Sequence, residues 1–424
     1  MNLKKTGPPL VILALILLIG VAYWVKVAGA GRDDPRVIES QRGWEGLKAA
    51  RSDKDQWPPA FAWTGGKLLV YGTEPGSRAR STGGASFDPD SGDWRTFSNP
   101  PFSAALVNPQ AVWTGTELIV LGPPCGGRAN TQDAEAKVRA CERRGFEAAA
   151  YDLRRERWRR LPVPKIFPLR GSESYFVISK GWTGKHAVFA ARDGFLLFDP
   201  KADKWQTIDD PPFLPRESCI AGSKLVAIAY RQFSDPQAGA VEGPHVPTNP
   251  DLDLKASIFD AASGEWSPPS SPSTDASAPE VLGVVCTSKE VLPVASAEPE
   301  PMWAVIAARK GLDARAGNAS KFNVSQESWS SLASIPSEFV PRRTRAAGDE
   351  VLVWAKRPGK SDGTQSDLLA VLVYDRGADE WQVTDETSTL PNGPAVFTGD
   401  RLVFYDATQS KGQLTGYSPK FKTQ

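Results

Sequence analysis

The chain has 424 residues, more than one ordinary compact domain holds, and its Lys+Arg 50 against Asp+Glu 49 give a formal charge of +1. A chain so nearly neutral has no global field to gather nucleic acid, so no nucleic-acid partner is expected, and a hydrophobic content of 41% excludes a disordered chain. Only two His, His186 and His245, weigh against histidine-based catalysis and His-rich metal sites; no cofactor and no metal site are expected.

Residues 1–30 differ from everything that follows. Lys4 and Lys5 precede an uncharged, Leu/Ile-rich run from Leu10 to Val25, which Tyr23, Trp24 and Lys26 close. A basic start, an apolar run and Ala28-Gly29-Ala30 fit a secretory signal cleaved near Ala30. The same run fits a single membrane span with interfacial aromatics, and Lys4 and Lys5 then hold the N-terminus on the cytoplasmic side. Lys26, so close to the cleavage motif, favours the uncleaved anchor. On either reading the remaining chain is exported: a cell-membrane protein, single-pass with its C-terminal domain outside, or a secreted one. Residues 31–43 read as a linker.

From residue 44 onward two units alternate. One is an apolar residue, Asp or Asn, a polar turn and then Trp: FDPDSGDW ending at Trp94, YDLRRERW at Trp158, FDPKADKW at Trp205, FDAASGEW at Trp266, FNVSQESW at Trp329 and YDRGADEW at Trp381. Each reads as strand, Asx-led turn, strand. The other is a short apolar strand, a tight turn and a more apolar strand, turning at Gly65, Gly115, Gly184, Gly222, Gly348 and Gly399, with Ser288 taking the Gly place in CTSKEVLPVA. The turns at Gly and Ser288 make seven hairpins, whereas only six Trp units lie between Trp94 and Trp381. The missing outer strand is Gly43-Trp44-Glu45-Gly46-Leu47 at the N-terminal end, and the partner left over is the last strand, LTGYSPK, around Tyr417.

Four strands per unit, a period of roughly fifty to sixty residues and complementary ends predict an all-β chain. Its expected form over 44–424 is a seven-bladed β-propeller of four-stranded antiparallel blades, closed by shared N- and C-terminal strands and preceded by a transmembrane or signal helix. The Trp, the apolar-Asp turn and Pro-rich exits such as Leu161-Pro162 and Pro211-Pro212-Phe213 resemble the Kelch-repeat propellers, the group that includes the central domain of galactose oxidase. The resemblance covers nearly everything from Trp44 to Tyr417 and departs in the glycine pair after the second strand. Only Tyr71-Gly72 and Leu121-Gly122 keep even one Gly of it. The copper oxidases of that group need two Tyr and two His ligands late in the chain, where this sequence has no His.

In a propeller the first strands line a central channel and alternate connections emerge on opposite faces. Short turns define one face here. The long second-to-third connections 73–84, 122–146, 231–254, 295–317 and 356–367 share the other, which is where recognition is expected. That face carries Arg78, Arg80, Arg128, Arg231, Arg342 and Arg343, whose guanidinium forks suit carboxylates and phosphates. The run Arg154-Arg155-Glu156-Arg157-Trp158-Arg159-Arg160 reads as a solvated outer edge before it reads as a docking patch. In an oxidising compartment Cys125 and Cys141 are expected to bridge one polar loop, while Cys219 and Cys286, in comparable places of successive repeats, read as buried free thiols before they read as a second bridge. No G-x-S-x-G, H-E-x-x-H or phosphate-binding Gly loop is present, and no catalytic residue is assigned. The sequence thus reads as an extracytoplasmic, membrane-anchored propeller binding an envelope protein or glycan. The alternative is a cell-envelope enzyme acting on carbohydrate or wall material through Asp, Glu and Arg.

Overall fold

The computed structural model describes residues 44–46, 60–72, 83–89, 91–106, 108–124, 145–163, 177–191, 194–213, 215–230, 254–272, 281–295, 320–336, 338–357, 368–387, 395–398, 401–406 and 413–417. Among them there is no helix, and the strands form four-stranded antiparallel sheets, seven in all. The fold is a β-propeller. In chain order the sheets begin with the strands Ala60–Trp63, Gln110–Trp113, Ile178–Trp182, Glu217–Ala221, Val281–Cys286, Val340–Ala347 and Ala395–Phe397. Each first strand lies against the first strand of the next sheet, and Ala395–Phe397 lies against Ala60–Trp63. The seventh sheet takes its fourth strand from the other end of the chain. Trp44–Gly46 pairs antiparallel with Gln413–Tyr417, Trp44 opposite Tyr417 and Gly46 opposite Thr415.

The core lies between sheets rather than inside one. Ile119 and Leu121 of the second sheet pack with Phe189, Leu196 and Phe198 of the third. Val285 and Leu292 of the fifth pack with Val351, Val353 and Leu372 of the sixth, and Leu68, Val70 and Phe87 of the first meet Val403 of the seventh. A sheet covered on both faces needs second strands that are apolar throughout, and Leu68–Tyr71 is buried at every position.

The two turn motifs have separate chemistries. In the first-to-second hairpins the hydroxyl of Thr64 accepts from Lys67 N at 2.9 Å while Thr64 N donates to Lys67 O at 3.0 Å. Thr114, Thr183 and Thr287 repeat both bonds with Glu117, His186 and Glu290. The hairpins at Ala221 and Ala347 have no Thr and turn instead through Gly222 and Gly348, whose φ of 61° and 64° suits Gly. In the third-to-fourth turns an Asx oxygen accepts from the backbone ahead. Asp152 Oδ1 takes Arg154 N and Arg155 N at 3.0 Å, and Asp199, Asn323 and Asp375 do the same.

The repeat Trp joins one sheet to the one before it. Trp158 Nε1 donates to Ser98 O at 2.7 Å, Trp205 to Pro162 O at 2.8 Å, Trp266 to Asp209 O at 2.9 Å and Trp381 to Ala333 O at 2.8 Å. Trp329 uses the Ser270 hydroxyl instead, at 3.1 Å. The indole rings rest on the apolar residue that opens their own motif, as Trp205 does on Phe198 with ring centroids 4.8 Å apart. The Pro-rich exits are therefore the acceptors of the Trp bonds.

Candidate functional site

Of the six arginines read from the sequence, Arg78, Arg80, Arg128 and Arg231 lie outside the described residues, as do Cys125, Cys141 and the segments 1–30 and 31–43. Arg342 and Arg343 are described, and they stand within a first strand, Val340–Ala347, rather than in a connecting loop. Of the two readings of Cys219 and Cys286, the preferred free thiols give way to the second bridge. The two are bonded across 67 residues, with Cα atoms 6.3 Å apart. They sit on the first strands of neighbouring sheets, so equivalent places in successive repeats meet in space.

Three first strands carry a bulge that the sequence pattern did not reveal. The register of Ile178–Trp182 shifts between Ser179 and Gly181, leaving Lys180 as the extra residue. Leu282 holds that position in Val281–Cys286, and Arg342 holds it in Val340–Ala347. An extra residue kinks a strand and re-aims its side chains, and such kinks gather beside functional sites. Gly follows the bulge in two of the three, which lets the next sheet come close. A Cβ on Gly181 would lie 3.2 Å from Ile220 Cγ1, and one on Gly283 would lie 3.1 Å from Thr344 Oγ1.

The charged residues of these strands act on one another. Lys180, Glu217, Arg343 and Arg345 are all partly buried. Burial pushes the Lys180 ammonium below the ordinary lysine range, and the Glu217 carboxylate opposes that shift. Burial likewise lowers Arg345, the like charge of Arg343 lowers it further, and Glu217 again opposes. The Glu217 carboxylate is itself positioned: Oε2 accepts from the Tyr230 hydroxyl at 3.2 Å. Burial first, and then Glu217, holds that phenol well above its usual range, so it remains a donor. Arg345 Nη1 donates to Thr344 O at 2.8 Å. Alongside, Gln110 Oε1 in the first strand of the second sheet accepts from Ser179 N at 2.9 Å. Lys180, Glu217 and Arg345 were missed because an isolated charge in a short strand looks like any exposed strand residue. The Lys-Gly pair at the bulge was the available signal.

The Arg154–Arg160 run divides in two. Arg154, Arg155, Arg157 and Arg160 are exposed. Arg159 forms a bidentate pair with Glu117 of its own sheet at 2.9 and 2.8 Å and reaches Asp203 in the turn of the third sheet. That residue is a fastener between sheets rather than part of a solvated edge. His186 is buried in the hairpin of the third sheet, and burial, then the charge of Lys185, holds it below the usual imidazole range. His245 lies outside the described residues. Among the described residues no three His, Cys, Asp or Glu gather as a metal would require.

No protein-family model matches the chain, and no curated protein matches it. Solved structures that it resembles include a chain of a mitotic checkpoint complex, at 10% identity and a TM-score of 0.47, covering 99% of this chain and 97% of that one. Another is a fungal alcohol oxidase of the AA5 family, in complex with copper, at 12% identity and a TM-score of 0.49, covering 89% of this chain and 76% of that one.

Proposed function

We propose that this chain is a Kelch-like propeller of seven blades, closed by pairing of its two ends. On this reading it is held at the cell membrane by its N-terminal segment, displayed outside the cytoplasm, and binds an envelope protein or glycan through its long-loop face. One observation carries the binding reading: the connections are uneven by class. Every described third-to-fourth turn spans the same short distance, Asp88 to Asp93, Asp152 to Arg157, Asp199 to Lys204, Asp260 to Glu265, Asn323 to Ser328 and Asp375 to Glu380. The second-to-third connections instead run from Ala191 to Gly194 in one sheet, and from Gly122 to Glu147 or Ala229 to Lys255 in others. A scaffold so regular on one face, with connections so varied on the other, presents variation where recognition would use it.

The test is site-specific photo-crosslinking in intact cells from residues 126–140 and, in parallel, from the plain-face turn at Arg154, with a compartment reporter fused at Gln424. A discrete adduct from 126–140, none from Arg154 and reporter activity outside the cytoplasm are expected. Adducts from Arg154 alone, or a cytoplasmic reporter, overturn the reading.

A further inference from the structure

We infer that the plain, short-turn face of the second and third sheets is a docking surface for an anionic lipid bilayer, with Arg154, Arg155, Arg157, Lys185, Lys201 and Lys204 resting on the headgroups. The inference rests on the membrane-anchored reading above and deepens it by naming the face that lies towards the membrane.

The first observation is where the chain enters the propeller. In the seventh sheet Trp44 stands opposite Tyr417, Tyr417 opposite Leu402 and Leu402 opposite Phe397. In the second sheet the same row reads Trp158, Tyr151, Leu118 and Trp113. That row is the end of the sheet at which the first-to-second hairpin and the third-to-fourth turn lie. Trp44 thus takes the place of a repeat Trp, and the chain before it joins the propeller on the plain face. Fully extended, the stretch from Lys26 to Trp44 spans at most roughly 60 Å. Such a tether, joined to one face, favours that face lying towards the bilayer with the long loops outward.

The second observation is where the cations of that face stand. The turn Asp152–Arg157 carries three Arg and Asp199–Lys204 carries two Lys, and Lys185 adds one from the hairpin beside Asp199. The turns Asp88–Asp93, Asp260–Glu265 and Asn323–Ser328 carry acids and no cation. Arg376, in the turn of the sixth sheet, is held by Glu290 at 2.9 Å. The two basic turns are fastened together, because Arg159 Nη1 reaches Asp203 Oδ1 at 2.5 Å. Acids among them are already engaged. Asp203 and Glu117 hold Arg159, while Asp152 and Asp199 accept from the backbone of their own turns. All six cations are exposed. Arg155 makes a loose contact with Asp152 at 3.6 Å, its side chain 68% exposed.

Six exposed cations spread over two adjoining turns and a hairpin suit an extended surface charge better than one small anion. Each Lys or Arg held near an anionic bilayer multiplies the docked population roughly fivefold, and salt screens the attraction. Entry of the chain on this same face is what favours lipid over an acidic protein. The acidic turns elsewhere on the face set the tilt: the domain leans on its second and third sheets.

The experiment inserts the full-length chain into phosphatidylcholine vesicles with and without phosphatidylglycerol. A fluorescent amino acid replaces Ala202 or, on the long-loop side, Asn130, and a quencher attached to lipid headgroups reads proximity. Quenching at Ala202 with phosphatidylglycerol only, reversed by high salt, is expected, and none at Asn130. Arg154→Gln, Arg155→Gln and Arg157→Gln together should lower the docked-to-undocked ratio at least roughly tenfold. Glu265→Gln, at an exposed acid of the fourth sheet's turn, should leave it level. Should the triple variant melt lower than the parent, the salt dependence of the parent's quenching decides. Equal quenching in both vesicles, or an unchanged triple variant, overturns the docking surface. A discrete protein adduct from Arg154 in cells, without quenching, also overturns it and assigns the face to an acidic protein. A chain that inserts in both vesicles and is quenched in neither removes only this inference. A chain that fails to insert, yet floats with phosphatidylglycerol vesicles through its Arg residues, removes the anchor and leaves the surface standing.

Discussion

On the fourth strands, Trp158, Trp205, Trp266, Trp329 and Trp381 repeat one device: a ring on the apolar residue of its own turn and an N–H onto the preceding sheet. On the first strands nothing repeats in that way. Gln110, Lys180, Glu217, Leu282 and Arg342 lie there, three of the strands are bulged, and one pair is joined by a disulfide. Both regions experience the same fold but different demands. An outer edge must solve an identical problem in each sheet, covering an edge and fastening it to its neighbour, so one solution serves throughout. The inner strands are held on both sides by neighbours whatever their side chains, so their residues are free to differ and to carry specificity.

The largest expected effect comes from removing an outer strand altogether. Deleting residues 40–50 takes away Trp44–Gly46 and leaves Gln413–Tyr417 without its outer partner. If the ring is closed by this pairing, the whole domain should melt earlier in one cooperative step, followed by calorimetry on the full chain and the deletion. An unchanged melting temperature, with only local fraying, would show that the ends do not close the ring. Next is a single staple: Trp381 is buried at 8% exposure, and Trp381→Ala should cost about 3–5 kcal/mol in urea unfolding. Trp381→Phe keeps the ring but loses the bond to Ala333 O, and should cost nearer 1 kcal/mol in the bond itself. On the inner strands the comparison reverses. There the covalent link does the fastening, and replacing both Cys219 and Cys286 with Ala should cost about 2–4 kcal/mol, since the link closes a long loop in the unfolded chain. Alkylation of the unreduced protein followed by peptide mapping should leave both residues unlabelled.

The same division explains what could be read from the sequence. The apolar-Asx-turn-Trp motif recurs because its geometry is local, so Trp94 to Trp381 located every fourth strand after the first and implied the one at Trp44. The Gly turns located the hairpins, although the Thr hydroxyl at Thr64 and its equivalents, which does as much to shape them, was not recognised. The places of Cys219 and Cys286 in successive repeats suit a bridge and a pair of buried thiols alike, because hydrophobic surroundings accept either, so only their meeting in space decides between the two. Lys180, Glu217 and Arg345 were not foreseen at all. Which first-strand residues approach one another depends on bulges and on the ring, and neither leaves a local pattern. Arg342 and Arg343 stand within the first strand Val340–Ala347, whereas the sequence reading had placed them on the long-loop face.

The smallest effect belongs to the Asx turns, and it separates charge from shape. Backbone N–H groups, Arg155 first, hold the Asp152 carboxyl below its usual range. For Asp199 burial pulls upward, and the N–H groups of Ala202 and Lys201 outweigh it. The Ala262 N–H does the same at Asp260. A carboxylate whose folded pKa is depressed stabilises the fold above the unfolded pKa of about 3.9, and that stability is lost as pH falls through the folded value. Acid should therefore loosen these turns only below about pH 4. Asn323 makes the same two bonds in the fifth sheet without a charge to lose, at 3.0 Å each. The molecule thus contains its own control. The variant carrying Asp152→Asn, Asp199→Asn and Asp260→Asn should keep its turns, and its melting temperature should fall less steeply with acidification than that of the parent. Asp260 is exposed and Asp152 and Asp199 are half-buried, so water screens the interaction and the difference should be a small change of slope rather than a separate transition. If the two slopes coincide, the Asx oxygen serves these turns by its shape alone. The outer edge would then owe its regularity to the Trp and the backbone, with no contribution from charge.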